Sequence, residues 1–189
     1  MELYLIRHPE VNLEKGICYG HAEVELRQPF SGLPDELIKK WALAKAVIYS
    51  SPSKRCVQFG SPLAEKMGRD VLFFRDVRLK ELNFGNWEMK RWDDIDPEEL
   101  NKWMIDFVHE QVPGGESFID LNKRVESFLG EHVVKKNNEN DTILVVTHAG
   151  VIRSALCQLE GIPLENAFKI KVDFGSVTKV SLDPFKKKV

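Results

Sequence analysis

Five side chains that suit phosphate chemistry occur at four places in the sequence. Arg7 and His8 stand together in LYLIRHP, Arg55 lies in SSPSKR, Glu81 in RLKELNF and His148 in TILVVTHAG. Arginine presents fork-shaped donors that match an oxyanion, so two arginines favour a ligand that carries phosphate. A histidine beside that phosphate can orient it or attack phosphorus, and a glutamic acid can protonate the leaving alkoxide. The set predicts phosphoryl transfer and leaves the nucleophile open between the two histidines.

The same residues allow a second interpretation, a metal site. His8, His148 and Glu81 match a two-histidine, one-carboxylate zinc set. Arginine keeps its positive charge, so Arg7 and Arg55 would repel a divalent cation unless a bound anion lay between them. We therefore expect no metal. Each residue alone also has an ordinary structural explanation, and only their joint placement favours a site.

Alternating strands and helices are predicted to bring these side chains together. Short apolar runs predict strands at residues 3–6, 46–52, 71–74 and 142–148. Helical patterns separate these runs, which indicates an α/β fold with a largely parallel sheet. In such sheets ligands bind outside the carboxyl ends of the strands. All five side chains follow a strand end or lie a little beyond one, so one shared pocket is expected.

Proline and capping residues predict the helix that follows the second strand. Ser51 followed by Pro52 has the form of an N-cap and a first helical residue. The helix that starts there should carry Arg55 in its first turn. Pro62 should kink or split this helix before its end near Gly68.

The second half of the chain carries further helix signals. Asp96 and Glu99 resemble a capping box that opens a helix over DPEELNKWMIDFVHE. The predicted apolar face of that helix is Leu100, Trp103, Met104, Phe107 and Val108. Ser117 should cap the next helix, and Gly161 should end the helix that begins in AGVIRSALCQLEG. KIKVDF and SVTKVSL then predict two strands joined through Gly175, the second of them an edge strand.

Composition limits the classes of partner. The 189 residues carry 27 Lys+Arg and 29 Asp+Glu, and this formal charge of -2 gives no broad electrostatic reason to expect DNA, RNA or an anionic membrane as partner. No apolar run approaches a membrane span, and Arg7 interrupts the apolar stretch near the start. Cys18, Cys56 and Cys157 are odd in number and widely spaced, so reduced thiols are expected in place of disulfides. We expect one cytoplasmic domain over residues 1–189.

Several motifs together resemble the histidine phosphatase superfamily, also called phosphoglycerate mutase-like. LYLIRHPEV resembles the LxRHG opening of that family, and the likeness continues in order through IYSSPSKRCVQF, RLKELNFGNWE, PGGES and VVTHAGVIR. The resemblance implies a three-layer α/β/α sandwich with a largely parallel central sheet and one antiparallel edge strand. It further implies that His8 becomes phosphorylated, that Arg7, Arg55 and His148 bind phosphate, and that Glu81 is the proton donor. No metal and no organic cofactor are implied.

Within the family, GICYGHAEVEL and PGGES look most like α-ribazole phosphatases, which remove a 5′-phosphate late in cobalamin assembly. Tyr19 and His21 would then border the leaving group, although a packed loop aromatic explains Tyr19 equally well. The chain is shorter than is usual for the mutases of this family, which favours transfer to water. The alternatives are a broad-specificity phosphatase for sugar phosphates or nucleotides, a phosphoglycerate mutase, and a non-catalytic scaffold that binds phosphorylated ligands. A homodimer through the C-terminal edge strand is compatible with the pattern.

Two departures from the family motif carry expectations of their own. Pro9 stands where glycine is usual, so no amide hydrogen at that position can contact phosphate. Glu14 stands where the family pattern has asparagine, and Asn12 lies two positions early. A glutamate in the pocket would oppose an anionic substrate, so we expect Glu14 to face solvent and Asn12 not to bind phosphate.

Overall fold

A five-stranded sheet forms the centre of the fold. The computed structural model describes residues 2–30, 33–41, 46–68, 71–134 and 142–181. The strands are β1 (Glu2–Arg7), β2 (Val47–Ser50), β3 (Leu72–Arg75), β4 (Thr142–Thr147) and β5 (Val177–Ser181), in the spatial order β3-β2-β4-β1-β5. Neighbours from β3 to β1 run parallel, and β5 pairs antiparallel with β1 at the edge. The predicted sheet with one antiparallel edge strand is confirmed.

Helices cover both faces of the sheet. They are α1 (Leu33–Trp41), α2 (Lys54–Met67), α3 (Pro97–Ile105), α4 (Phe118–Leu129) and α5 (Ala149–Glu160). Side chains of β1 alternate between two cores, because successive residues of a strand point to opposite faces. Leu3 and Leu5 join the core that includes residues of α3, α4 and α5, whereas Tyr4 and Ile6 join the core with α1 and α2. This confirms the three-layer α/β/α architecture.

The start of α2 differs from the prediction. Its N-cap is Ser53, not Ser51, and Pro52 precedes the helix. The Ser51 hydroxyl accepts a hydrogen bond from the Ser53 N–H at 3.3 Å and is shared with His148, so it holds a turn and not a helix end. The helix runs unbroken from residue 54 to 67, so Pro62 does not split it. Arg55 does lie in the first turn.

The helix predicted from Asp96 is shorter than expected. Asp96 caps α3 as predicted, accepting hydrogen bonds from the Glu98 and Glu99 N–H groups. The helix ends at Ile105, because Asp106 takes non-helical backbone angles (φ −138°, ψ 57°). Met104 is therefore not a core residue, and 64% of its surface is exposed.

Other boundaries follow the sequence signals. Ser117 and Asp120 form a reciprocal capping box at the start of α4, and Gly161 ends α5 in the left-handed conformation at φ 71°. KIKVDF is not a strand, because its peptide groups bind other partners: the Val172 carbonyl accepts from the Arg7 side chain at 2.7 Å. Cys18, Cys56 and Cys157 are buried free thiols. Among the described residues, no helix is both long enough and apolar enough to cross a membrane.

Candidate active site

The register between β1 and β4 places two histidines side by side. Arg7 is paired with Thr147 in the parallel ladder, so His8 and His148 are the next residues along both strands. The His8 N–H donates to the Thr147 carbonyl at 3.0 Å, which continues the ladder past the strand end. The two ring centroids lie 5.2 Å apart at an interplanar angle of 70°. Both side chains are buried, with 2% and 0% of their surface exposed.

His8 is held as a neutral imidazole with a free lone pair. Its Nδ1 lies 2.7 Å from the Pro9 carbonyl oxygen. A carbonyl oxygen can only accept, so Nδ1 carries the hydrogen and Nε2 carries the lone pair. Burial, followed by the positive charges of Arg55 and Arg7, lowers the pKa of His8 from 6.5 to about 3. Nε2 is therefore a nitrogen able to act as a nucleophile at neutral pH.

His148 has the opposite tautomer. The Arg55 Nε–H donates to His148 Nδ1 at 3.3 Å, so Nδ1 is the acceptor. His148 Nε2 then carries the hydrogen and donates to the Ser51 hydroxyl at 2.8 Å. Burial and then the charge of Arg55 lower the pKa of His148 well below its usual value. Cys56 lies 3.5 Å from Nε2, and burial raises the pKa of its thiol to about 12, which makes it an unreactive neighbour.

Arg55 links the site to a loop near the start of the chain. Its guanidinium is fully buried and donates to the Gly20 carbonyl at 2.6 Å and to the Ala22 carbonyl at 3.0 Å. Each terminal nitrogen of a guanidinium has two N–H groups, so one donor on each remains for a ligand.

Arg7 is held from the other side by the segment before β5. Its Nη1 donates to the Val172 carbonyl at 2.7 Å, and its guanidinium lies 3.7 Å from the centroid of the Phe174 ring. Phe174 also packs against His8, with centroids 5.7 Å apart, and keeps 41% of its surface exposed. Arg7 Nε is buried and has no hydrogen-bond partner among the described residues. This donor is available to an oxyanion.

Glu81 reaches the same place from the segment after β3. Its Oε1 accepts from the Leu82 N–H at 3.0 Å, and its Oε2 accepts from the Gly150 N–H at 3.1 Å. Gly150 is the second residue of α5 and follows His148 by two positions. A Cβ at position 150 would lie 2.3 Å from Glu81 Oε1, so a glycine is needed there for the carboxylate to fit.

The two residues predicted to border the leaving group lie in different surroundings. The Tyr19 ring centroid is 5.2 Å from the Arg55 guanidinium carbon, and the side chain also interacts with Arg7. The charged groups that act on His21 are instead Lys80, Glu116, Arg124 and Glu88. Burial lowers the pKa of His21, and its Nε2 is buried with no partner among the described residues. The structure thus brings Tyr19 beside Arg7 and Arg55, whereas the charged groups around His21 are a different set.

Glu14, one of the departures from the family motif, faces solvent as expected. The Glu14 side chain is 83% exposed and lies 3.5 Å from Arg91, away from the buried histidines. Asn12 is exposed as well. Pro9 contributes its carbonyl group in place of an amide hydrogen, and this carbonyl fixes the His8 tautomer.

Several residues of the site were not predicted from the sequence. In the sequence Ser51 has the form of a helix cap, and Phe174 lies in a segment with the pattern of a strand. Glu88 had no assigned role. Three of its four backbone hydrogen bonds join residues 66 to 68 positions apart, and no local spacing could have indicated them. Among the described residues, no three His, Cys, Asp or Glu side chains are grouped so that they could hold a metal ion.

Comparison with known proteins gives the family. A model of the histidine phosphatase superfamily (branch 1) matches residues 3–189. A Hydrogenobacter thermophilus protein provisionally named phosphoserine phosphatase 2 is 32% identical over 188 residues, which is 96% of this chain and 89% of that protein. The adenosylcobalamin/alpha-ribazole phosphatase of Escherichia coli is 32% identical over 194 residues, covering 97% of this chain and 91% of that one. The crystal structure of the alpha-ribazole phosphatase from Shigella flexneri superposes with a TM-score of 0.84 at 26% identity, covering 97% and 92% of the two chains.

The chain belongs to the histidine phosphatase superfamily. It is a phosphatase of the phosphoglycerate mutase-like fold, and its relatives act on phosphorylated small molecules.

Proposed function

We propose that this phosphatase hydrolyses phosphomonoesters through a phosphohistidine on His8, and that its substrate is α-ribazole 5′-phosphate or cobalamin 5′-phosphate. The observation that carries the chemistry is the His8 tautomer. A buried, neutral imidazole with its Nε2 lone pair free lies between a second histidine and two arginines. A histidine that only bound phosphate would need to donate a hydrogen bond from that nitrogen, which the tautomer does not allow.

Each residue then has one task in the first half-reaction. Arg7 and Arg55 bind the phosphoryl oxygens with the N–H donors that have no partner within the described part of the chain, and His148 joins them by turning its Nε2–H from the Ser51 hydroxyl to a phosphoryl oxygen. Together they stabilise the charge of these oxygens in the transition state. His8 Nε2 attacks phosphorus, the N–P bond forms, and the bond to the ester oxygen breaks. Glu81 transfers its proton to that oxygen, so the alcohol leaves as a neutral molecule.

The second half-reaction returns the enzyme to its starting state. Glu81, now a carboxylate, takes a proton from water while the water oxygen attacks phosphorus. The N–P bond breaks, inorganic phosphate is released, and His8 regains its lone pair.

Two relatives support two substrates. The Escherichia coli relative is named for α-ribazole phosphate, and the Hydrogenobacter relative is named for phosphoserine. We favour α-ribazole phosphate because Tyr19 and the half-exposed Phe174 lie against the two arginines, and flat rings of this kind suit the aromatic base of a nucleotide-like leaving group. Phosphoserine is the second candidate. We also propose a cytoplasmic location, because three buried free thiols suit a reducing compartment.

The test is phosphate release in one EDTA-containing assay from α-ribazole 5′-phosphate, phosphoserine, 3-phosphoglycerate and p-nitrophenyl phosphate. A kcat/KM for α-ribazole phosphate far above the others supports the full proposal. A preference for phosphoserine, or equal rates on all four, refutes the substrate and keeps the chemistry. No release from any of them favours a scaffold. In parallel, an acid-labile and alkali-stable phosphate should form on the wild type and be absent from His8→Ala.

A further inference from the structure

A carboxylate outside the reaction centre holds the loop that holds Arg55. Glu88 Oε1 accepts from the His21 N–H at 2.8 Å and the Phe84 N–H at 3.0 Å, and Oε2 accepts from the Gly20 and Ala22 N–H groups, both at 2.9 Å. Four acceptor positions are all that an ionised carboxylate offers. Every one of them is used on a backbone donor.

The same loop residues pass this constraint to the phosphate pocket. Gly20 and Ala22 donate to Glu88 through their N–H groups and accept from Arg55 through their carbonyls, at 2.6 and 3.0 Å. Arg55 in turn donates to His148. A Cβ on Gly20 would lie 1.9 Å from the Leu82 carbonyl oxygen, so the loop is packed too closely to shift without cost.

A second group outside the reaction centre holds the segment that carries Glu81. Arg124 of α4 donates to the carbonyls of Arg78 (2.7 Å), Lys80 (2.6 Å) and Glu81 (2.9 Å). Its charge is balanced by Glu116, whose carboxylate oxygens each lie 2.9 Å from a guanidinium nitrogen. Only arginine can bridge three carbonyls and a carboxylate at once.

We propose that Glu88 and Arg124 are positioning residues that serve two separate tasks, phosphate binding and proton transfer to the leaving group. Glu88 acts through residues 20–22 on Arg55 and hence on phosphate binding. Arg124 acts through residues 78–81 on Glu81 and hence on proton transfer to the leaving group. The inference rests on the proposed function for the roles of Arg55 and Glu81.

Of the two variants for the test, Glu88→Gln is nearly isosteric and Arg124→Lys keeps the positive charge, and each serves as the control for the other. Glu88→Gln exchanges one carboxylate oxygen for an amide NH₂, so the amide N–H groups would face backbone N–H groups that no longer have an acceptor. The expected result is a rise of roughly 10- to 100-fold in the dissociation constant of inorganic phosphate, as for a displaced binding group, and equal losses of kcat/KM on good and poor leaving groups. Arg124→Lys should leave the phosphate dissociation constant within about twofold and lower kcat mainly on poor leaving groups.

The measurements are calorimetric titration with inorganic phosphate and turnover of p-nitrophenyl phosphate against an alkyl phosphate, on variants checked by circular dichroism. A double variant separates positioning from general loosening. Once Arg55→Ala has removed the guanidinium, adding Glu88→Gln should weaken phosphate binding no further. A further tenfold loss in the double variant overturns the proposal, as does an equal pattern of losses for the two single variants.

If Glu88→Gln does not fold, Glu88→Asp keeps the charge and the four acceptor positions on a shorter stem. An unchanged phosphate dissociation constant in Glu88→Asp contradicts the role of the loop, and a raised one supports it. A wild type that neither binds phosphate nor hydrolyses p-nitrophenyl phosphate refutes the proposed function itself, so the two failures are distinguishable.

Discussion

The neutral state of His8 should make folding stability depend on pH. The pKa of His8 is about 3 in the folded protein, against 6.5 for an ordinary histidine. As pH falls below 6.5 the unfolded chain binds a proton at this position and the folded protein does not, so stability is fully present above that pH and is lost until about pH 3. One pKa unit corresponds to about 1.4 kcal/mol, and the linkage relation gives a loss of about 2 kcal/mol between pH 7 and pH 5. The His8 side chain is only 2% exposed, so solvent screening reduces this loss of stability little.

His8→Gln tests this number because glutamine carries no charge at either pH. Urea denaturation at pH 7 and pH 5 gives the free energy of unfolding at each pH, and the wild type should lose about 2 kcal/mol more between them than the variant. The contribution of His148 is present in both proteins and cancels in this comparison. His109→Gln is the matched control, since it removes a histidine whose side chain is 65% exposed and keeps His8, and it should retain the His8 share of the loss. Equal losses in wild type and His8→Gln would refute the depressed pKa, and with it the argument for a neutral nucleophile.

Three further outcomes are expected. Glu81→Gln should slow alkyl phosphates by roughly 10²- to 10⁴-fold and p-nitrophenyl phosphate far less, because nitrophenolate leaves without a proton; equal losses would exclude the acid role. Gly150→Ala should show the same pattern of losses, since the new Cβ would lie 2.3 Å from Glu81 Oε1. Gly130→Ala is the control, because a Cβ there meets nothing within 4 Å, and its kinetics should be unchanged. Wild-type kinetics in Gly150→Ala would contradict the close contact. Dialysis against EDTA should leave activity intact, because two arginines repel a divalent cation; a loss reversed by zinc would restore the metal interpretation.

The core of the site could be predicted because it depends on strand ends. Arg7, His8 and His148 directly follow apolar runs, and parallel strands deliver their carboxyl ends to one edge of the sheet. Sheet order and register were not needed for that inference. The α/β class with a largely parallel sheet followed in the same way, from strands that alternate with helices, whereas the three-layer architecture was implied by the resemblance to the family.

Other predictions were wrong because the contacts that decide these structures are made with residues far away in the chain. Ser51 has the local form of a helix cap, but its hydroxyl accepts from His148, 97 residues later. KIKVDF has the apolar pattern of a strand, but its Val172 carbonyl binds a side chain 165 residues away. Glu88 showed no pattern at all, since a carboxylate that accepts four backbone hydrogen bonds looks like any surface glutamate in the sequence.

The hydrogen-bond ladder between β1 and β4 has a consequence for how such an enzyme can change. The separation of His8 from His148 is set by main-chain groups, which every residue type possesses, so drift of surrounding side chains leaves the reaction centre in place. The aromatic rings that are proposed to meet the leaving group, Tyr19 and Phe174, lie outside this ladder, and two relatives that are each 32% identical to this chain bear the names of unrelated substrates. Selection can therefore alter what is hydrolysed without altering how. Residues 20–22 cannot vary in this way, because their carbonyl groups hold Arg55 and a different loop there would remove that support.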